Sequence, residues 1–156
     1  MPDDRVIDYL NNLVEMNRDA EAGFRTAAGN VNNTELETTF GKYAAQHAKF
    51  VTELQKDIER LGGRPADSGT VGGALHRGWM DVKSALSGGS PAAMLSSCRS
   101  GEESADAAYA DAMKDTPSGQ TYSLLEKQQS QVRGIHTRLT RLEREVQDGV
   151  EFRENK

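Results

Sequence analysis

Between Leu61 and Ser90 lies a connection, Gly62–Gly89, that is too long for a turn and too broken by glycine to be one helix. A link of this length in a helical domain should carry structure of its own. Within it Leu75, Trp79, Val82 and Leu86 fall at helical spacing, bounded by Gly69, Gly72 and Gly73 on one side and by Gly88-Gly89 on the other. This pattern predicts a short helix over about 74–86. It holds the only Trp of the chain, expected to cover an open groove of the core. The connection divides the remaining sequence into two pairs of long amphipathic segments, and so dictates how those segments are strung together.

The first pair is predicted at about 4–28 and 34–61. Ile7, Leu10, Val14, Phe24 and Ala28 form the stripe of the first segment, interrupted by Asn17 and Glu21. Gly29-Asn30 and Asn32-Asn33 turn the chain. The second segment opens on Thr34-Glu35-Leu36-Glu37, which reads as a capping box with Thr34 as N-cap. Its stripe runs Leu36, Phe40, Tyr43, His47, Phe50, Val51, Leu54, Ile58 and Leu61, and Gly62-Gly63 and Pro65 end it.

The second pair is predicted at about 91–114 and 120–146. It opens on Ser90-Pro91, an N-cap followed by proline at the first helical position. The stripes are Leu95, Cys98, Glu102, Ala105, Tyr109, Ala112 and Met113, then Thr121, Leu125, Gln128, Val132, Ile135, Leu139, Leu142 and Val146. The tail 148–156 has little to pack against and is expected to fray. Two antiparallel hairpins joined by one long crossover give an all-α, ferritin-like four-helix bundle with a short fifth helix in the crossover.

Composition limits what such a bundle does. The chain has 156 residues, enough for one domain with a real core. Its net charge of −5 gives no positive field for nucleic acid or an anionic membrane. No apolar run approaches the roughly 20 residues of a membrane span, and the start Met1-Pro2-Asp3-Asp4-Arg5 lacks a secretion-signal pattern. A single cysteine, Cys98, excludes an internal disulfide. Together these features point to the cytoplasm. No P-loop, dinucleotide fingerprint, CxxC or Ser/His/Asp set is present, so no enzyme class except a metal-dependent one finds support.

Several blocks carry a family likeness. His76-Arg77-Gly78-Trp79-Met80-Asp81-Val82-Lys83, then Gly101-Glu102-Glu103-Ser104-Ala105 with Tyr109, resemble a bacterial four-helix-bundle family of unknown function grouped with the ferritin-like folds. Leu10-Asn11-Asn12-Leu13, Asp19-Ala20-Glu21-Ala22-Gly23-Phe24, Glu53-Leu54, Leu61-Gly62-Gly63 and His136 also fit. The resemblance implies the bundle; it implies no activity.

Di-iron bundles of the ferritin-like type place a Glu on each of two helices and Glu-x-x-His on each of the other two. Here the inward polar positions are Asn17, Glu21, His47, Glu102 and Gln128, with His136 on the flank of its stripe. Counting from the turns puts Asn17 and His47 at similar depth, and Glu102 close to Gln128 and Val132, a polar layer near mid-bundle. The residue three before His47 is Ala44, and that before His136 is Arg133, so both Glu-x-x-His motifs are broken. The expectation is therefore a buried hydrogen-bonded layer in which His47 and Glu102 satisfy each other or a water, with no cofactor. The alternative is a divalent metal held by Glu21, His47, Glu102 and His136. The corresponding functional readings are a non-enzymatic bundle acting on an unknown protein partner or on itself, and a divergent metal-binding relative.

Cys98, on the core stripe, reads as a small buried hydrophobe. His76 and Arg77 read as residues docking the crossover, Arg77 toward Asp19. Gly23 and Gly134 fall off the core stripes by helical angle.

Overall fold

The computed structural model describes residues 4–65 and 90–149. They form four helices: α1, Asp4–Asn30; α2, Thr34–Arg60; α3, Pro91–Lys114; and α4, Gln120–Gln147. The expected boundaries of all four agree to within two residues. The expected crossover helix over 74–86, with His76, Arg77 and Trp79, lies outside the described residues, as does the tail from 150 onward.

Local chemistry accounts for the ends. Ser90 accepts a hydrogen bond from the Ala93 N–H at 3.0 Å, and Pro91 follows as the first helical residue. The start of α2 differs from expectation by one residue. The cap is Asn33, whose side-chain oxygen accepts from Leu36 N–H at 2.9 Å, and Thr34 is already helical. Asn33 has the extended backbone that a cap requires (φ −157°, ψ 120°), and its carbonyl accepts from Glu37 N–H, which closes the first turn. At the other end of α2, Gly62 takes φ +83°. Its N–H donates to the Glu59 carbonyl, and Gly63 N–H donates to Ile58, the paired bonds of a Schellman stop.

Three contacts set the directions of the helices. Tyr9 OH donates to Asp115 Oδ2 at 2.9 Å, bringing the start of α1 to the end of α3. Arg60 Nη2 donates to Thr121 Oγ1 at 2.9 Å, bringing the end of α2 to the start of α4. Arg138 lies 3.8 Å from Glu35, at the opposite end of that pair. The hairpins α1/α2 and α3/α4 are the most extensively packed pairs; α1 also packs on α3, and the α2–α4 seam is the thinnest. It follows that α2 and α3 run in the same direction. The end of α2 and the start of α3 therefore stand at opposite ends of helices about 40 Å long. The joining segment has the length of the bundle to span, as the sequence implied.

The core is one continuous cluster drawing on all four helices. On α1 it is wider than the expected stripe, taking in Leu13, Met16, Ala20 and Ala27, because this helix meets both α2 and α3. Gly23 is buried, not off the core side. Ala28, expected in the stripe, is only partly buried. Phe24 sits at the centre of an aromatic group, with ring centroids 6.2 Å from Phe40, 5.7 Å from Tyr43 and 5.6 Å from His47.

Candidate functional site

Midway along the bundle the apolar core is interrupted by five polar side chains, each fully buried or involved in a buried bond. Asn17 comes from α1, His47 from α2, Glu102 and Tyr109 from α3, and Gln128 from α4. His47 Nε2 lies 2.6 Å from Glu102 Oε1, and its Nδ1 lies 2.6 Å from Asn17 Oδ1. Asn17 Nδ2 donates to the Tyr109 hydroxyl and to the Leu13 carbonyl, both at 2.9 Å. Tyr109 OH donates to Gln128 Oε1 at 2.6 Å. Gln128 Nε2 then donates to Glu53 Oε1 at 3.1 Å and to the Phe50 carbonyl at 3.3 Å.

Read in order, Glu102–His47–Asn17–Tyr109–Gln128–Glu53 is one unbroken chain that crosses between the two hairpins three times. The sequence stripes explain why it forms. Asn17, His47, Glu102 and Gln128 each occupy a position that helical spacing sends inward. Four polar groups at one depth, each 0% exposed, satisfy one another there.

The direction of donation is fixed from the Gln128 end. Phe50 C=O and the Glu53 carboxylate offer only acceptors, so the Gln128 amide nitrogen must face them. Its oxygen therefore faces Tyr109, whose single proton is committed to it. Asn17 must then donate to the Tyr109 oxygen, which turns Asn17 Oδ1 toward His47. His47 Nδ1 accordingly carries a hydrogen, and the Nε2–Oε1 link to Glu102 is left to be made by one proton shared between imidazole and carboxyl. The ring is held on both faces, stacked on Phe24 and edge-on to Phe50 at 5.3 Å. The second oxygen of Glu102, Oε2, is buried and meets no hydrogen-bond partner among the described residues.

Burial controls the neighbouring acids. The Tyr109 phenol is pushed far above its usual range by loss of solvent; the Asn17 hydrogen bond pulls the other way, and the charges of Glu102 and Glu53 add to the rise. The Cys98 thiol, one turn before Glu102, is also pushed well up, by burial first and then by the Glu102 charge. Cys98 is fully buried and free, as its stripe position implied, and is held in the unreactive thiol form.

Two of the four candidate ligands are not in this layer. Glu21 lies at the bundle surface, its carboxylate bonded at 2.6 Å to Arg25 one turn on. The apolar stripe of α1 turns toward α2 and α3 through Ala20 and Phe24, leaving position 21 at the rim. His136 is likewise at the surface, 3.3 Å from Glu103, in a charged cluster where Arg99 bonds Glu143 at 2.6 Å and Glu103 at 3.2 Å. These residues line a shallow groove of about 290 Å³. Arg133 points outward to Asp106 at 2.8 Å. Among the described residues, no group of three or more His, Cys, Asp or Glu side chains is placed to hold a metal ion.

Two members of the network were not foreseen. Tyr109 was read as a core aromatic, although it stands two turns after Glu102 on one face. Glu53 lies at the edge of its helix stripe, where spacing gives no inward signal; its side chain is 24% exposed.

Residues 5–115 match the family described as Domain of unknown function (DUF2383). The chain belongs to that family. Comparison with curated proteins gives no match. The DUF2383 match takes in the first hairpin and α3, and so includes every network residue except Gln128. Among the described residues, no helix is long and apolar enough to cross a membrane.

Proposed function

We propose that this DUF2383 protein is a non-enzymatic, cytoplasmic bundle of the ferritin-like group that acts by binding a protein partner or by self-assembly. In this reading the mid-bundle layer is a structural lock. The ferritin-like grouping is supported by the crossover connectivity of two hairpins; the role rests on fold analogy. The observation that carries the structural reading of the layer is that both ring nitrogens of His47 are engaged, by Asn17 and by Glu102. A di-iron centre needs four carboxylates and two histidines, and the layer supplies one histidine and one fully buried carboxylate. That donor set does not fit such a centre.

One observation favours a second reading, a single divalent ion. A ligating histidine binds through one nitrogen while its other N–H is held by an acceptor. Asn17 holds Nδ1–H in that way, leaving Nε2 directed at Glu102, whose Oε2 has no partner among the described residues. An ion there would replace the shared proton, with Glu102 and His47 as its protein ligands among the described residues. The deciding experiment is thermal melting with micromolar iron, zinc or manganese, alongside metal analysis of protein purified without chelator. No metal-dependent rise in Tm is expected. A rise in the wild type that is abolished in His47→Leu would overturn the first reading in favour of the second.

A further inference from the structure

We infer that, among the described residues, the layer opens to solvent at the Gln128–Glu53 link on the α2–α4 seam, and that the groove outside it is the route by which water and protons reach His47 and Glu102. Three independent observations converge on this link. The first is exposure: Asn17, His47, Glu102 and Gln128 are each 0% exposed, as is Tyr109, whereas the Glu53 side chain is 24% exposed. The second is bond length. The links within the layer are 2.6–2.9 Å, while the two bonds by which Gln128 reaches α2 are 3.1 and 3.3 Å. Against the like-for-like amide donations of Asn17 at 2.9 Å, these two are at the long end of the N–H···O range, which marks the loosest link of the chain. The third is packing: α2 and α4 form the thinnest helix pair, and outside Glu53 lies a groove of about 600 Å³ bordered by Lys56, Asp57, Leu124 and Lys127.

The chemistry of opening is simple. When Gln128 Nε2 leaves Glu53, the Glu53 carboxylate, which borders the groove, can take up water in place of the lost bond. Tyr109 and Asn17 then lose the constraint that fixed their donor directions, and a proton can be exchanged at His47 Nδ1. Lys127, 4.0 Å from Glu53, stands beside the carboxylate as a partner it can exchange for Gln128. The inference concerns solvent access alone and holds under either functional reading.

Hydrogen exchange of the His47 ring N–H, followed by imidazole proton–nitrogen NMR in metal-free full-length protein, tests it. The backbone amides of Phe40 and Leu139, both buried and away from the link, serve as internal reports of global opening. In Glu53→Ala the ring N–H should exchange at least tenfold faster than in wild type while those amides keep their rates. Glu53→Gln, which preserves an acceptor for Gln128, should stay within a factor of two of wild type. Equal ring exchange in wild type and Glu53→Ala would overturn the inference. So would acceleration of the ring and the reference amides by the same factor, since exchange would then follow unfolding of the whole bundle.

Discussion

Replacing His47 by leucine tests the layer most directly. The ring has 0% exposure and bonds of 2.6 Å on both sides. Leucine fills much of its volume between Phe24 and Phe50, so loss of packing is a minor part of the effect. What remains is polar: Asn17 Oδ1 loses its donor, and Glu102 loses the one partner it has among the described residues, leaving both carboxyl oxygens buried and unbonded there. An orphaned buried neutral acceptor costs about 1–3 kcal/mol, and breaking one side of a buried charged pair costs about 3–5 kcal/mol. A loss of about 3–5 kcal/mol is therefore expected, read as the shift of the urea midpoint at unchanged m-value by circular dichroism. That corresponds to a Tm lower by about 10 °C for a chain of this length. The double variant His47→Leu/Glu102→Leu removes the orphaned carboxyl and should recover at least half of the loss, since replacing both partners by apolar groups is close to neutral. A His47→Leu loss below about 1 kcal/mol, or a double variant no more stable than the single one, would refute the reasoning.

Other expectations are separate from the layer or probe its surroundings. Asn33→Ala should cost about 1 kcal/mol through loss of the α2 cap, whereas Thr34→Ala should cost a few tenths; denaturant melts that reverse this order would return the cap to Thr34. Gly63→Ala would place a Cβ 2.9 Å from two Ile7 carbons and should cost about 1–3 kcal/mol. Gly41→Ala and Gly134→Ala sit in helices with nothing within 4 Å of a new Cβ and should each stabilise by up to about 1 kcal/mol. Cys98 should stay unmodified by a thiol reagent at pH 8 until the protein unfolds. Folding raises the pKa of both Cys98 and Tyr109 above their unfolded values. The folded chain then holds protons that the unfolded chain releases once pH passes about 9–10. Stability should consequently fall with rising alkaline pH by about 1.4 kcal/mol per unit for each group; a flat alkaline profile, for the wild type compared with Tyr109→Phe, would contradict this.

The elements and their order are legible in the residues alone. Helical spacing is a local property, so four segments and their ends could be read to within two residues; Ser90-Pro91 and Gly62-Gly63 act through bonds to their immediate neighbours. The sequence also put Asn17, His47, Glu102 and Gln128 at one depth, because inward angle and distance from a turn both follow from counting residues. What it could not separate was Glu21 from that set. Position 21 lies near the edge of the stripe of α1, and which way an edge residue turns depends on where α2 and α3 press against that helix. His136 raises the same ambiguity on α4, resolved in favour of Glu103 at the surface. The cap of α2 shifted from Thr34 to Asn33 because two adjacent residues were both capable caps and only backbone geometry chose between them. The connected chain of donors and acceptors belongs wholly to the tertiary structure. That Tyr109 bridges Asn17 and Gln128, and that Glu53 closes the far end, depends on the spacing and stagger of two hairpins distant in sequence, set by packing of the whole core and encoded in no single segment.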